Sequence, residues 1–208
     1  MRRISEVKHL ATNNTAASSI PDSVDPASSA PTTGLSSGPT LKDYAVVTAA
    51  LSVFSLGLYL TCRRYAGEAA EVDELFLPLF AMLALIGLVW IVMLVFRNYA
   101  ILSNITSGIY YERYLDDHPP DWVERPARTF NNLMQVPPLF FLACILMLFT
   151  GYLDLAQLFL LWIFVATRYL HAAMYMVWNY VPARFCCYIA GVITLFVIFI
   201  RLAPEIVS

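Results

Sequence analysis

The sequence predicts an all-α integral membrane protein, a bundle of transmembrane helices. Composition is the first observation behind this: 59% of the 208 residues are hydrophobic, only 13% are charged, and mean hydropathy is +0.65. A soluble domain carries about a quarter charged residues, so too little polar surface is left to face water. The second observation is five apolar stretches, each close to the roughly 20 residues that a helix needs to cross a ~30 Å hydrocarbon core. Helices are expected because lipid offers no partner to an unpaired backbone group. The formal net charge of -2 gives no reason to expect a nucleic-acid partner.

Residues 1–41 differ in kind. Ala11 to Thr40 is rich in Ser, Thr, Ala and Pro and nearly lacks large apolar residues, which predicts a disordered tail. Arg2, Arg3 and Lys8 are not followed by the apolar run of a secretory signal. Residues 42–66 hold the first apolar stretch, Tyr44 to Cys62, which carries no charge. It is expected to be an additional N-terminal helix that spans the membrane. Residues 70–205 hold the other four: Leu75 to Phe96, Leu133 to Leu153, Leu155 to Val181, and Phe185 to Ile200. Pro137-Pro138 is expected to bend or start the third of these. A long polar loop is expected over 97–130, and tight turns over 151–154 and 179–184. The last four stretches then pack as two antiparallel pairs.

Charge predicts the orientation. If all five stretches span, one side holds Arg2, Arg3, Lys8, Lys42, Arg97, Arg113, Arg125, Arg128 and Arg184, and the other only Arg63, Arg64 and Arg201. The positive-inside rule then puts loop 97–130 in the cytoplasm. The acceptor patterns Asn13-Asn14-Thr15 and Asn104-Ile105-Thr106 face the same side and should stay unglycosylated. Cys62, Cys144, Cys186 and Cys187 fit neither a zinc pattern nor a disulfide framework; they read as small apolar side chains, with lipidation of Cys186 and Cys187 the alternative.

Ionisable and polar groups within a span are costly and mark function or a specific partner. Three sets share helix faces by spacing. Arg125, Arg128, Asn132 and Gln135 form the first. Arg168, His171 and Tyr175 form the second, and Arg184 with Tyr188 the third. All lie toward the same ends of their helices, where Arg97 could join them. Together they would line a pocket rich in guanidinium groups and suited to a carboxylate-bearing anion, which Arg grips in a planar fork. Each residue alone has a plainer reading. Arg97, Arg125 and Arg184 could snorkel to headgroups. Arg168 could make an ion pair or a carbonyl contact between helices. His171 could be a buried hydrogen-bonding residue, and Tyr175 and Tyr188 interface aromatics. The co-facial grouping, and no single residue, favours the pocket.

These same residues carry a resemblance. Glu124-Arg125-Pro126-Ala127-Arg128, followed by Asn132, Gln135, Pro138, Leu139 and Phe140, resembles the second-helix motif of the MAPEG family, the membrane-associated proteins in eicosanoid and glutathione metabolism. Phe164 to Arg168 with His171 and Tyr175 resembles its third-helix motif, and Pro182-Ala183-Arg184 with Tyr188 is similar to the next. The resemblance implies a four-helix bundle over roughly residues 70–205, assembled as a homotrimer, with glutathione between subunits near the cytoplasmic face. It further implies that Arg125, Arg128, Asn132, Arg168, His171, Tyr175, Arg184 and Tyr188 surround glutathione, and that Arg184 stabilises its thiolate. Two positions depart from the family pattern. Gln135 stands where the family has Glu, keeping shape and an acceptor while losing charge, and Phe130 stands where a polar residue is common. The run from Asn132 to Phe140 looks closest to a bacterial-type branch.

The implied activity is a glutathione-dependent transferase or peroxidase acting on lipophilic electrophiles that arrive from the bilayer. The alternative is a non-catalytic protein of the same fold that binds a lipid or another anion. A small transporter is disfavoured, because the spans lack acidic residues and Gly-rich unwound segments.

Overall fold

The structure is a computed structural model, and it describes residues 40–106, 110, 119–178 and 180–207. The tail expected over 1–41 therefore lies outside the described residues up to position 39, as do Asn13, Arg113 and most of segment 107–118. The described residues fall in one compact unit. It is built from α1 (Leu41–Tyr65), α2 (Phe76–Leu102), α3 (Asp121–Leu133), α4 (Pro137–Thr150), α5 (Leu155–Ala173) and α6 (Val181–Val207). Among the described residues, five helical segments are long and apolar enough to cross a membrane, with α3 and α4 counted as one. No strand occurs among them. The chain is an all-α membrane bundle with an additional helix in front.

Local signals set the helix ends. Thr40 precedes α1, and its backbone N–H and hydroxyl both donate to Asp43 at 2.8 Å, closing the first turn. Pro137 opens α4, where its missing N–H has no intrahelical partner to lose. Gly151 ends α4 with φ of 65°, a left-handed conformation that glycine adopts without strain. Asp154 caps α5 by accepting from the Gln157 backbone N–H at 2.8 Å.

Several helices run past their apolar stretches. Segment 97–130 is not one long loop, because α2 continues to Leu102 and α3 begins at Asp121. The turn expected over 179–184 shortens because α6 begins at Val181. The reason is backbone economy: near the interface the amides are still best satisfied within the helix, whatever the side chains. The Asn98 side chain even donates to the Leu94 carbonyl at 2.8 Å, folding its polar end back onto α2.

The core is the seam of α2, α4, α5 and α6. Met82, Phe140, Met147, Leu160, Leu161, Phe164, Ile198 and Leu202 are fully enclosed there. Phe140 and Phe164 stack with centroids 4.9 Å apart. The outer surface is also apolar, with Trp90, Phe149, Phe196 and Ile200 exposed, as lipid contact allows. Between helices in lipid the hydrophobic effect does little, so close packing and interhelical hydrogen bonds hold the bundle.

α1 lies against α5 and α6, parallel to α6, and buries only Leu58. It is fastened at both ends. At one end the Tyr180 hydroxyl donates to Asp43 at 3.2 Å. At the other, the turn after α1 is laced to the turn before α5. Ala70 N–H donates to the Leu153 carbonyl, Leu155 N–H to the Glu68 carbonyl, and Gly67 N–H to Asp154.

Candidate functional site

The α5–α6 seam assembles the candidate site. Phe164, Arg168, His171 and Tyr175 follow one face of α5 and its extension, and Val181, Arg184, Phe185 and Tyr188 follow one face of α6. After Ala173 the backbone loosens into a π turn, Met174–Trp178, which carries Tyr175. Such turns interrupt helices frequently at functional sites.

A cavity of about 220 Å³ opens where α3, α5 and α6 meet, lined by Asn132, His171, Val181, Arg184, Phe185 and Tyr188. Four of the expected residues are thus brought together. The His171 ring lies 5.7 Å from the Tyr188 ring and 6.2 Å from the Tyr175 ring. The Arg184 guanidinium sits over the face of Tyr175, 4.1 Å from its centroid, a cation–π contact that steers the arginine. His171 Nδ1 lies 3.0 Å from the Arg184 carbonyl oxygen. A carbonyl only accepts, so Nδ1 must carry the proton, and in the neutral ring Nε2 keeps a lone pair. That Nε2 is buried without a hydrogen-bond partner among the described residues. Buried polar atoms are rarely left so, and this one lies on a residue that lines the cavity.

Arg168 stands behind the cavity and does not line it. It is 1% exposed, and its guanidinium donates to the carbonyls of Cys187 and Tyr188 at 3.1 and 2.8 Å. The faces of Phe164 and Tyr188 flank it at 5.4 and 5.2 Å. The sequence left open a ligand grip or a carbonyl contact between helices for this residue; in this geometry it makes the carbonyl contact. Gly191 makes room for it: a Cβ there would come within 2.7 Å of both Arg168 Cζ and the Thr167 hydroxyl. Arg168 thereby fixes the register of α6, and with it Arg184 and Tyr188.

Arg125 and Arg128 lie on the outward face of α3, on the same side as Asn132, but outside this cavity. Both bind one carboxylate, Asp121, through Arg125 Nε at 2.6 Å and Arg128 at 2.8 Å. Gln135, just beyond α3, is exposed, and neither it nor Arg97 of α2 lines the cavity.

The sequence reading missed Asp121, Gly191, Val181 and Phe185. Asp121 stands four residues before Arg125 and seven before Arg128, a helical spacing that was readable once the helix was extended to it. Val181 and Phe185 belong to the same spacing as Arg184 and Tyr188. Gly191 had no local signal, because its role comes from a neighbour on another helix.

Neither the curated proteins nor the solved structures compared with this chain match it. A family model does: the MAPEG family model matches residues 76–204, which runs from the start of α2 into the last turn of α6 and leaves out α1. With more than half of its length matched, and with Asn132, His171, Arg184 and Tyr188 of three helices meeting at one cavity, the chain belongs to the MAPEG family.

Proposed function

We propose that the cavity takes glutathione and that the protein is a membrane transferase or peroxidase acting on lipophilic electrophiles. The observation that carries this reading is the convergence of Asn132, His171, Arg184 and Tyr188 on one cavity in a MAPEG chain. Arg184 is assigned to the thiol. An opposite charge within ~4–6 Å favours the ionised form by about one to three pKa units, and the thiolate is the nucleophile. In transfer, the thiol gives up its proton, sulfur forms a bond to the electrophilic carbon, and the leaving group departs with its bonding pair. In peroxide reduction, sulfur attacks one peroxide oxygen and the O–O bond breaks. The alkoxide takes a proton, and a second glutathione reduces the sulfenic acid to disulfide and water.

The His171 lone pair at Nε2 accepts an S–H or N–H of the ligand. Tyr175 steers Arg184, and Arg168 acts through the α6 backbone. Arg125 and Arg128 meet the glutathione carboxylates in competition with Asp121, with Gln135 and Arg97 at the margin. A homotrimer follows in this reading from the α3 face. Arg128 and Gln135 are exposed and Arg125 is only partly buried in a single chain, a polar face that lipid disfavours and that a neighbouring subunit would cover. The cavity end faces the cytoplasm by the positive-inside rule, with Lys42, Arg97, Arg125, Arg128 and Arg184 there and Arg63, Arg64 and Arg201 at the other end. The sequence type is that of the bacterial branch.

The test uses the purified full chain in nanodiscs. Thiolate absorbance, thermal stabilisation by millimolar glutathione, and turnover of a chlorodinitrobenzene or an organic hydroperoxide are expected. Absence of all three sinks the reading.

One pair of observations favours the second reading, a non-catalytic protein that binds a lipid headgroup or another anion. Arg125 and Arg128 already hold a carboxylate, and Arg168 is committed to carbonyls, so fewer cations serve a tripeptide with two carboxylates. Stabilisation by anionic lipid without stabilisation by glutathione would select it.

A further inference from the structure

Two side chains of α6 serve two cavities. Val181 and Phe185 line the polar cavity beside Arg184, and they also line a neighbouring one of about 320 Å³. The second cavity is completed by Asp43, Tyr44 and Val47 of α1 and by Pro182. The contact between Tyr180 and Asp43 holds the first turn of α1 level with the first turn of α6, so both cavities lie at one depth. Except for Asp43 at its end, the wall of the second cavity is apolar or aromatic. Val181, Phe185 and Tyr44 are more than half exposed, so the groove is open on the bilayer side. Its volume falls in the range of small-molecule sites, about 300–1,000 Å³.

We infer that this groove holds the hydrocarbon part of the lipophilic co-substrate, while the co-substrate's reactive carbon or oxygen reaches past Val181 and Phe185 to the sulfur beside Arg184. The inference rests on the glutathione reading and adds the binding place of the second substrate. It also gives a role to α1, the helix outside the family match, since Tyr44 and Val47 choose among co-substrates by the shape of their apolar portion. The hydrocarbon comes from lipid, which is already apolar, so the selection is one of packing fit and not of escape from water.

The experiment fills the groove from the α1 side in the full chain in nanodiscs. Val47→Trp occupies it, Tyr44→Ala removes a wall, and Leu60→Trp, on an exposed position of α1 away from the groove, is the control. Turnover of a short and a long 2-alkenal is compared with that of a chlorodinitrobenzene. Binding of an unreactive dansyl-labelled fatty acid is measured alongside. With Val47→Trp we expect at least a fivefold loss of kcat/KM for the long alkenal and a similar loss of probe affinity. The glutathione KM and the chlorodinitrobenzene rate should be unchanged. Tyr44→Ala should weaken the probe about threefold, and Leu60→Trp should match wild type. If Val47→Trp and Tyr44→Ala leave both the probe and the chain-length preference unaltered, or lower all substrates alike, the groove is not the site. If wild type neither binds nor turns over glutathione, it is the glutathione reading that fails, and probe binding alone then decides whether the groove takes a hydrocarbon chain.

Discussion

Arg168 and Arg201 both extend from the α5–α6 pair into the protein, and they finish on different partners. Arg201 meets Asp154 at 2.5 Å and donates to the Tyr152 hydroxyl at 3.4 Å. Asp154 in turn caps α5 and accepts from Gly67, so one carboxylate gathers an arginine and two backbone amides. Arg168, nearer the opposite end, has no carboxylate among the described residues; carbonyl dipoles and ring faces hold it. Beside it lie a buried histidine nitrogen with no hydrogen-bond partner among the described residues, and a cavity. The closed end has every reason to be rigid. The open end keeps positive potential and an unused acceptor, which is what a site for an anion with a donor group requires.

The comparison is most exposed to a variant at the closed end. Asp154→Ala leaves the partly buried Arg201 without its charge partner, a loss of about 3 kcal/mol. Unfolding of the detergent-solubilised protein should show it, with turnover per folded molecule retained. A loss under about 1 kcal/mol would mean that the latch is not holding the bundle. At the open end, Arg184→Ala should do the reverse. We expect kcat for glutathione conjugation to fall about 10²-fold, the scale of removing one stabilising donor, with little change in unfolding. If the unfolding midpoint fell and the rate did not, the two ends would not be divided as described.

Gly191→Ala sharpens the role of Arg168. The new methyl meets the guanidinium, so overpacking of about 1–3 kcal/mol is expected. Pairing it with Arg168→Met should recover part of the loss, a coupling measurable by a double-mutant cycle. Strict additivity would show that the two do not share space. The smallest effect is expected at Asp121, which is exposed. Asp121→Asn releases Arg125 and Arg128 from an ion pair worth roughly 0.2–1 kcal/mol, and glutathione should bind up to about fivefold more tightly by calorimetry. Weaker binding would show that Asp121 orients the arginines rather than competing for them.

How much of this was legible depended on what each feature answers to. The spans were legible because lipid imposes a composition on them, and Tyr44 to Cys62 carries no charge for that reason. Helix ends were not, since the backbone stays helical through polar flanks such as Arg97 to Leu102. This also hid Asp121, whose spacing to Arg125 and Arg128 has meaning only on a helix. Asn132, His171, Arg184 and Tyr188 could be grouped from spacing within each helix, and the cavity joins them. Arg168 could not be decided between its two roles, because the decision rests on Gly191 and the carbonyls of α6, a pairing between helices that no single helical period records. Nor did anything in the sequence say that α1 would settle beside α6.

That last placement has a consequence in time. α1 and α6 are the first and last of the described helices, so α1 emerges from the ribosome long before its neighbour exists. It must wait in the membrane alone, and its makeup suits waiting: an uncharged stretch with Leu58 as its one buried residue loses little by standing in lipid unaccompanied. The lacing between residues 67–70 and 153–155 can form only once α5 has begun. The cavity that α1 walls is therefore completed only once α6, the last of the described helices to be made, has docked beside it.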